Sequence, residues 1–260
     1  MALCKPDGGV RGIVVGDCFR RLVAKTLAKQ YSADFETACS PFQFALSIKA
    51  GTECVAHARR VATELNRRRT VVSVDGIGAY DLMRRRAMLT KLSTVPRANA
   101  VLPFVRMSYG EPSVYSLVDD EGKEHLIPQG EGGEQGDPLM PAYFSLGQHG
   151  ALEAVRARLL PTEEIFVLDG VCVLCQPERA RAVFDALEEE LRNHTGVRCN
   201  LGKTKVWNRA GEEPPRVREL QERPEEPVWV GDQALPQELQ GLKVLGTPLG
   251  TEAFLSLIHI

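Results

Sequence analysis

Two aspartates fall where a side chain could do chemistry. In TVVSVDGIGAYD a β-branched run stops at Asp75, and in FVLDGVCVL a second apolar run delivers Asp169. A carboxylate at the end of a strand leaves the core and faces whatever cleft the sheet opens there. Two such groups side by side present hard oxygen ligands suited to Mg²⁺, with coordination positions left for substrate phosphates. Asp169 also has a simpler reading, because it precedes Gly170 and Asp-Gly is a favoured two-residue hairpin loop. From these residues alone, ligand and turn both stay open. Cys172 and Cys175 make a C-x-x-C, but residues three apart in a strand point to opposite faces, and no second ligand pair accompanies them. Zinc is therefore not expected.

The elements that must carry these groups show in the hydrophobic spacing. KPDGGVRGIVVG is a Gly-rich turn followed by a short strand, and DCFRRLVAKTLAKQY takes up helical spacing through Phe19, Leu22, Val23 and Leu27. After the loop at Pro41, Thr52 is placed to cap a helix with Val55, Ala58, Val61, Ala62 and Leu65 on one side, ending in Arg67, Arg68 and Arg69. A helix is expected from about Leu82 to Leu92, and a hairpin over 113–127 turning at Asp-Glu-Gly. Asp137 and Pro138 suit the N-cap and first position of the next helix, on which His149 is a packing or surface residue. PERARAVFDALEEELRNHTG keeps Ala180, Val183, Phe184, Leu187 and Leu191 on one face and stops at Gly196. The order implies an α+β fold with an antiparallel centre backed by helices.

Composition bounds the rest. A chain of 260 residues, 43% hydrophobic, can bury the core of one large domain or two intimate subdomains. No apolar run is long enough to span a bilayer, and the N-terminus lacks the apolar stretch of a signal peptide, so an intracellular location with no membrane partner is expected. Seven scattered cysteines are expected to be reduced. The formal charge of −2 hides a partition. Residues 211–240 hold eight acids against three arginines, which leaves the remainder net basic, as a phosphate-binding surface requires. Residues 209–238, with five prolines, are expected to be an acidic insertion or linker.

An ordered series of motifs from Lys5 to Gly250 resembles the reverse transcriptase domain of non-LTR (LINE-type) retrotransposons. KPDGGVRGI resembles that family's fingers motif, DGIGAYD its first catalytic motif, and QGDPLMPAYF its diagnostic Q-G-x-P-L-x-P. VLDGV stands in place of the aromatic-x-Asp-Asp box, NLGKTK of the lysine motif, and VLGTPLG of the strand leading to the thumb. The resemblance implies a right-hand polymerase: a fingers portion over 1–69 and a palm over 70–208 with a fingers-like excursion near 100–128. Beyond the insertion, 239–260 would be a strand toward a missing or truncated thumb, with a doubtful tail. It implies nucleotidyl transfer with two Mg²⁺ ions, an RNA template, a DNA primer and dNTP, and other retroelement domains in a longer chain.

By the same resemblance Asp75 and Asp169 would hold metal with the Gly76 carbonyl, and Lys5 and Arg11 would neutralise the triphosphate. Tyr80 would exclude a ribose 2′-hydroxyl, and Gln135 and Gly136 would sit beside the templating pair. Lys203, with Lys205 as a rival, would protonate pyrophosphate. Three positions depart from the pattern: Val167 replaces the box aromatic, Gly170 its second aspartate, and Gly12 a proline of the fingers motif. Loss of an anion beside divalent metals weakens their binding, so impaired catalysis is expected, or a noncatalytic relict with a nucleic-acid-binding palm. An RNA-dependent RNA polymerase or an intron maturase would share the palm.

Overall fold

A computed structural model describes residues 2–4, 10–12, 16–244 and 247–258. Lys5 lies outside them. The fold is α+β, with antiparallel strand pairs and helices throughout. In chain order the elements are β1 (Ala2–Cys4), β2 (Val10–Gly12), α1 (Cys18–Gln30), α2 (Ser32–Cys39), α3 (Gly51–Leu65), β3 (Thr70–Val74), α4 (Ala79–Leu82), α5 (Arg85–Thr94) and α6 (Leu102–Tyr109). They continue with β4 (Ser113–Val118), β5 (Glu124–Gln129), α7 (Met140–Arg158), β6 (Glu164–Val167), β7 (Val171–Cys175) and α8 (Ala180–Thr195). The last are β8 (Lys205–Asn208), β9 (Gly241–Val244), β10 (Thr247–Gly250) and α9 (Glu252–Ile258). Two compact units share the chain: one holds 1–40, 78–150 and 194–197, the other 41–77, 151–193 and 198–260. Among the described residues no helix is long and apolar enough to cross a membrane.

The second unit is built on a four-stranded antiparallel sheet of order β6-β7-β3-β8. Alternation along β3 sends Val72 and Val74 to one face and Val71 to the other. On the first face they join Val171, Val173, Cys175 and Val206 against Leu152 and Val155 of α7 and Val183, Phe184 and Leu187 of α8. On the second, Val71, Cys172, Leu174 and Trp207 pack with Val55 of α3 and Leu242, Val244 and Leu249 of the β9–β10 hairpin. Cys172 and Cys175 thus point to opposite faces, both buried and unpaired. Each fully buried valine or leucine contributes about 1.5–3 kcal/mol, so burial on both faces anchors the strands from which Asp75 and Asp169 emerge.

The acidic stretch behaves as part of this core. Val217, Leu220, Val228 and Trp229 are buried in it, and Trp229 bridges to Val206. Its charges lie outward in ion pairs such as Arg218 with Glu213 and Asp232, and Arg68 with Glu212. High acid content there reflects a solvated rim over apolar anchors rather than a free linker.

Two helices bury different faces from those the spacing predicts. In α3 the buried residues are Gly51, Val55, Arg59 and Thr63, whereas Val61 and Leu65 face solvent. Gly51 explains the rotation: a Cβ there would come within 1.9 Å of the Phe44 carbonyl oxygen, so this edge must press against the preceding loop. Ala50, not Thr52, is the N-cap. In α1, capped by Asp17 through Phe19 N and Arg20 N, only Ala24 is buried, and Phe19, Leu22 and Val23 are exposed. The helix expected from about Leu82 to Leu92 is α5, which begins at Arg85 after the separate short α4, and α7 begins at Met140, three residues after Asp137. The β4–β5 hairpin and α8, which ends at Gly196 with φ of 77°, are as the spacing predicts.

Candidate active site

The sheet register brings the two aspartates to one end. Val74 pairs with Val171, so Asp75, just past β3, and the Leu168–Gly170 loop between β6 and β7 leave the sheet together. This loop has three residues between the paired Val167 and Val171, not the two of an Asp-Gly turn, and Gly170 is not among the described glycines with positive φ. Glycine is needed there for space instead: a Cβ on Gly170 would sit 2.6 Å from the Val74 carbonyl oxygen. Asp169 is exposed and Asp75 half-buried, and both line a cleft of about 480 Å³ with Gly170, Lys203, Lys205 and Lys243.

Beyond Asp75 the chain pairs with the segment that follows α8. Asn200 N donates to the Asp75 carbonyl, Ile77 N to the Arg198 carbonyl, and Gly76 lies opposite Cys199. A turn of 3₁₀ helix over Leu201–Lys203, capped by Asn200, then aims Lys203 at the carboxylate. Its Nζ donates to Asp75 Oδ2 at 2.9 Å, while Asp75 Oδ1 accepts from Gly76 N. With side chains 59% and 34% exposed, the pair adds at most about 1 kcal/mol to stability. Lys205 begins β8, where its Nζ donates to the Pro227 carbonyl at 2.9 Å, and burial lowers its pKa. Of the two lysines, Lys203 is the one set on Asp75.

The first unit carries the other expected residues. Tyr80, on α4, packs its ring on Phe144 with centroids 5.0 Å apart, and its carbonyl accepts from Gly133 N. Gln135 is exposed on the turn that follows, its Nε2 3.5 Å from Asp81 Oδ2, with Gly136 beside it. His149 is buried on α7. Arg11 is described through its backbone alone, paired with Leu3.

The Gln135–Gly136 turn is held by a group that spacing does not single out. Arg20, on α1, donates to Glu134 Oε1 at 2.7 Å and to Asp137 Oδ2 at 3.2 Å, the buried carboxylates on either side of the turn. Tyr109 of α6 donates to the same Asp137 oxygen at 2.7 Å and accepts from Glu134 N, while Asp137 Oδ1 accepts from Leu139 N. Arg20 and Arg85 each lie 5.3 Å from the Tyr109 ring centroid, in cation–π contact. Burial, and then the Asp137 carboxylate, hold the Tyr109 hydroxyl well above its usual pKa, so it stays a donor. The available signal was two acids bracketing a Gln-Gly turn, which need a cation from elsewhere if both are buried.

No family model matches the chain. Over 226 residues it is 24% identical to the retrotransposable element SLACS 132 kDa protein of Trypanosoma brucei gambiense, an alignment covering 85% of this chain and 19% of that protein. The resemblance is to a retrotransposon protein. In fold the chain is similar to telomerase from Candida albicans, solved in complex with a TWJ fragment of telomeric RNA, with a TM-score of 0.53 at 12% identity. That similarity covers 90% of this chain and 38% of the telomerase. Apo telomerase from Candida tropicalis, truncated from its C-terminal domain, gives a TM-score of 0.52 at 11% identity, covering 90% of this chain and 44% of that one. The chain thus spans under half the length of each of these proteins.

The donor set at the sheet end does not fit a pair of divalent ions. It offers the carboxylates of Asp75 and Asp169, the first already engaged by Lys203, and position 170 brings none. Among the described residues no group of three or more His, Cys, Asp and Glu side chains is placed to hold a metal ion.

Proposed function

We propose that the chain is a reverse-transcriptase-like domain of a retroelement, an RNA-directed DNA polymerase by descent, in which nucleotidyl transfer is impaired. The observation that carries this reading is the convergence of Asp75, Asp169 and Lys203 on one cleft at the end of an antiparallel sheet. Similarity to a retrotransposon protein and a fold shared with telomerase support it. In this reading the four-stranded sheet is the palm, and an RNA template, a DNA primer and dNTP are the ligands. By the resemblance Asp75 and Asp169, with the Gly76 carbonyl, would be the positions left for Mg²⁺, short of the donors that a pair of ions needs. By the family resemblance Lys5 and Arg11 would neutralise the triphosphate, Tyr80 would limit the sugar, and Gln135 and Gly136 would belong beside the templating pair.

Lys203 has two tasks that compete. As an ammonium beside a phosphate it would stabilise negative charge and give a proton to a departing pyrophosphate. Bound to Asp75, it neutralises the carboxylate that a cation would use, and with no acid at position 170 nothing replaces that charge. The same observation favours a second reading, a noncatalytic relict that keeps a nucleic-acid-binding palm.

Primer extension on an RNA template, with Mg²⁺ and separately Mn²⁺, tests the proposal against an Asp75→Asn control. Weak synthesis abolished by Asp75→Asn supports an impaired polymerase. No synthesis, with template–primer still bound, supports the relict. Robust synthesis by the unmodified chain overturns the claim of impairment.

A further inference from the structure

The first unit contains a cleft of about 560 Å³ that plays no part in the reading above. One wall is α5, whose residues Ala87, Thr90, Lys91 and Thr94 follow the i, i+3, i+4, i+7 spacing of a single helix face. Arg84 and Arg86 stand at the N-terminal end of this wall. Opposite lie Gly147 and Gly150 of α7, and His194 from the last turn of α8. Gly147 lets α7 lie close over Met83 and Met88, since a Cβ there would come within 2.5 Å of the Met83 sulfur. At Gly147 and Gly150 the α7 wall carries no side chain. The cleft rim carries two guanidiniums, one ammonium and one imidazole, and among the described residues no carboxylate lines it.

We propose that this cleft binds the phosphate backbone of a single nucleic-acid strand. The choice of occupant rests on charge and spacing. Arg84, the N-cap of α5, and Lys91 are seven positions apart, about 10 Å at a helical rise of 1.5 Å per residue. Cations that far apart meet two phosphates of one strand rather than a single anion. Arginines suit a phosphodiester oxygen by their forked donors, the Thr90 hydroxyl adds a neutral donor, and the glycines of α7 leave room for the strand. Apart from the His194 imidazole no side chain here offers a ring for stacking, and none offers an acid for base edges, so binding is expected to depend little on sequence. That the strand is nucleic acid rests on the reverse-transcriptase-like reading, whereas the cationic cleft does not depend on catalysis.

The test is fluorescence anisotropy of a labelled single-stranded RNA, about twenty nucleotides long, with the full chain over a range of salt concentrations. An Arg86→Gln/Lys91→Gln variant is expected to bind on the order of tenfold more weakly at low salt. Its dependence of log K on log salt should be shallower by about 1.4, at about 0.7 per lost phosphate contact. Arg86→Gln alone removes an exposed side chain, so it keeps the test open if the double variant fails to fold, and half the change in slope is expected. Lys123→Gln, at an exposed lysine of the β4–β5 turn outside both clefts, serves as comparison. Equal loss in both variants, unchanged affinity, or an unchanged salt slope would overturn the proposal. So would displacement of the RNA by inorganic phosphate or dNTP at millimolar concentration, which would make the occupant a small phosphate. Primer extension by Asp75→Asn reports on the polymerase reading separately, since binding at this cleft survives its failure.

Discussion

Replacing Gly170 by alanine separates two reasons for a glycine at this position, lost chemistry and lost space. Ordinary carbon–oxygen contact begins near 3.4 Å, and a Cβ here would lie 2.6 Å from the Val74 carbonyl oxygen and 3.5 Å from its carbon. The loop or the end of β3 must therefore move by about 0.8 Å. Crowding of this kind costs about 1–3 kcal/mol. Alanine gains about 0.4–1 kcal/mol from the stiffer unfolded chain wherever the backbone conformation tolerates it, and Gly170 does not have positive φ. The net expectation is destabilisation by about 0.5–2 kcal/mol, a fall in Tm of about 1–8 °C for a unit of this size. Gly170→Asp is expected to be at least as unstable and to gain no extension activity, because its backbone must be displaced before its carboxylate can be used. Thermal denaturation followed by circular dichroism, with primer extension on the same samples, measures both. A Gly170→Ala variant as stable as the parent, or more so, would refute the steric argument; recovery of synthesis by Gly170→Asp would refute its consequence.

Arg20→Met leaves Glu134 and Asp137 buried without their cation, and is expected to cost about 3 kcal/mol at neutral pH in urea denaturation. Arg20→Lys should recover part of that loss; no difference between Met and Lys would show that packing, not charge, is what Arg20 supplies. Trp229→Ala should cost about 3–5 kcal/mol, whereas a tryptophan on a loose linker would cost almost nothing. Burial pushes the thiols of Cys39 and Cys175 from 9.0 up to about 12, so the folded state keeps protons that the unfolded state releases. Their contribution is complete below about pH 9 and lost as pH rises towards 12, so stability should decline through that window. Iodoacetamide at pH 8 should label Cys18 and Cys54 in the native protein, but Cys39, Cys172, Cys175 and Cys199 only after denaturation, as read by mass spectrometry.

What the sequence makes legible is local, and what it hides is set by partners. Asp75 and Asp169 can be found because a β-branched run ending in an acid looks the same in any context. Likewise α8 announces itself by its apolar face and its terminal glycine. The buried side of α3 cannot be read from its own spacing, because Gly51 against the Phe44 carbonyl selects it from outside the helix. The sequence favours Lys203 over Lys205 only by its place in the lysine motif; the turn of 3₁₀ helix before β8 is what sends one to Asp75 and the other to the Pro227 carbonyl. The Arg20 clamp joins positions more than a hundred residues apart, beyond any periodic signal. The division into two units is equally hidden, since the chain enters each of them three times.

The pairing of Val74 with Val171 has a kinetic meaning. Roughly a hundred residues of chain must be drawn into a loop before β3 and β7 can zip, a costly closure that slows such topologies. Until that happens Asp75 has no acidic neighbour, and a nascent polypeptide stopped short of β7 cannot assemble the cleft at all. Proximity of positions 75 and 169, tracked by a pair of fluorescent labels, would thus mark the moment at which β3 and β7 pair.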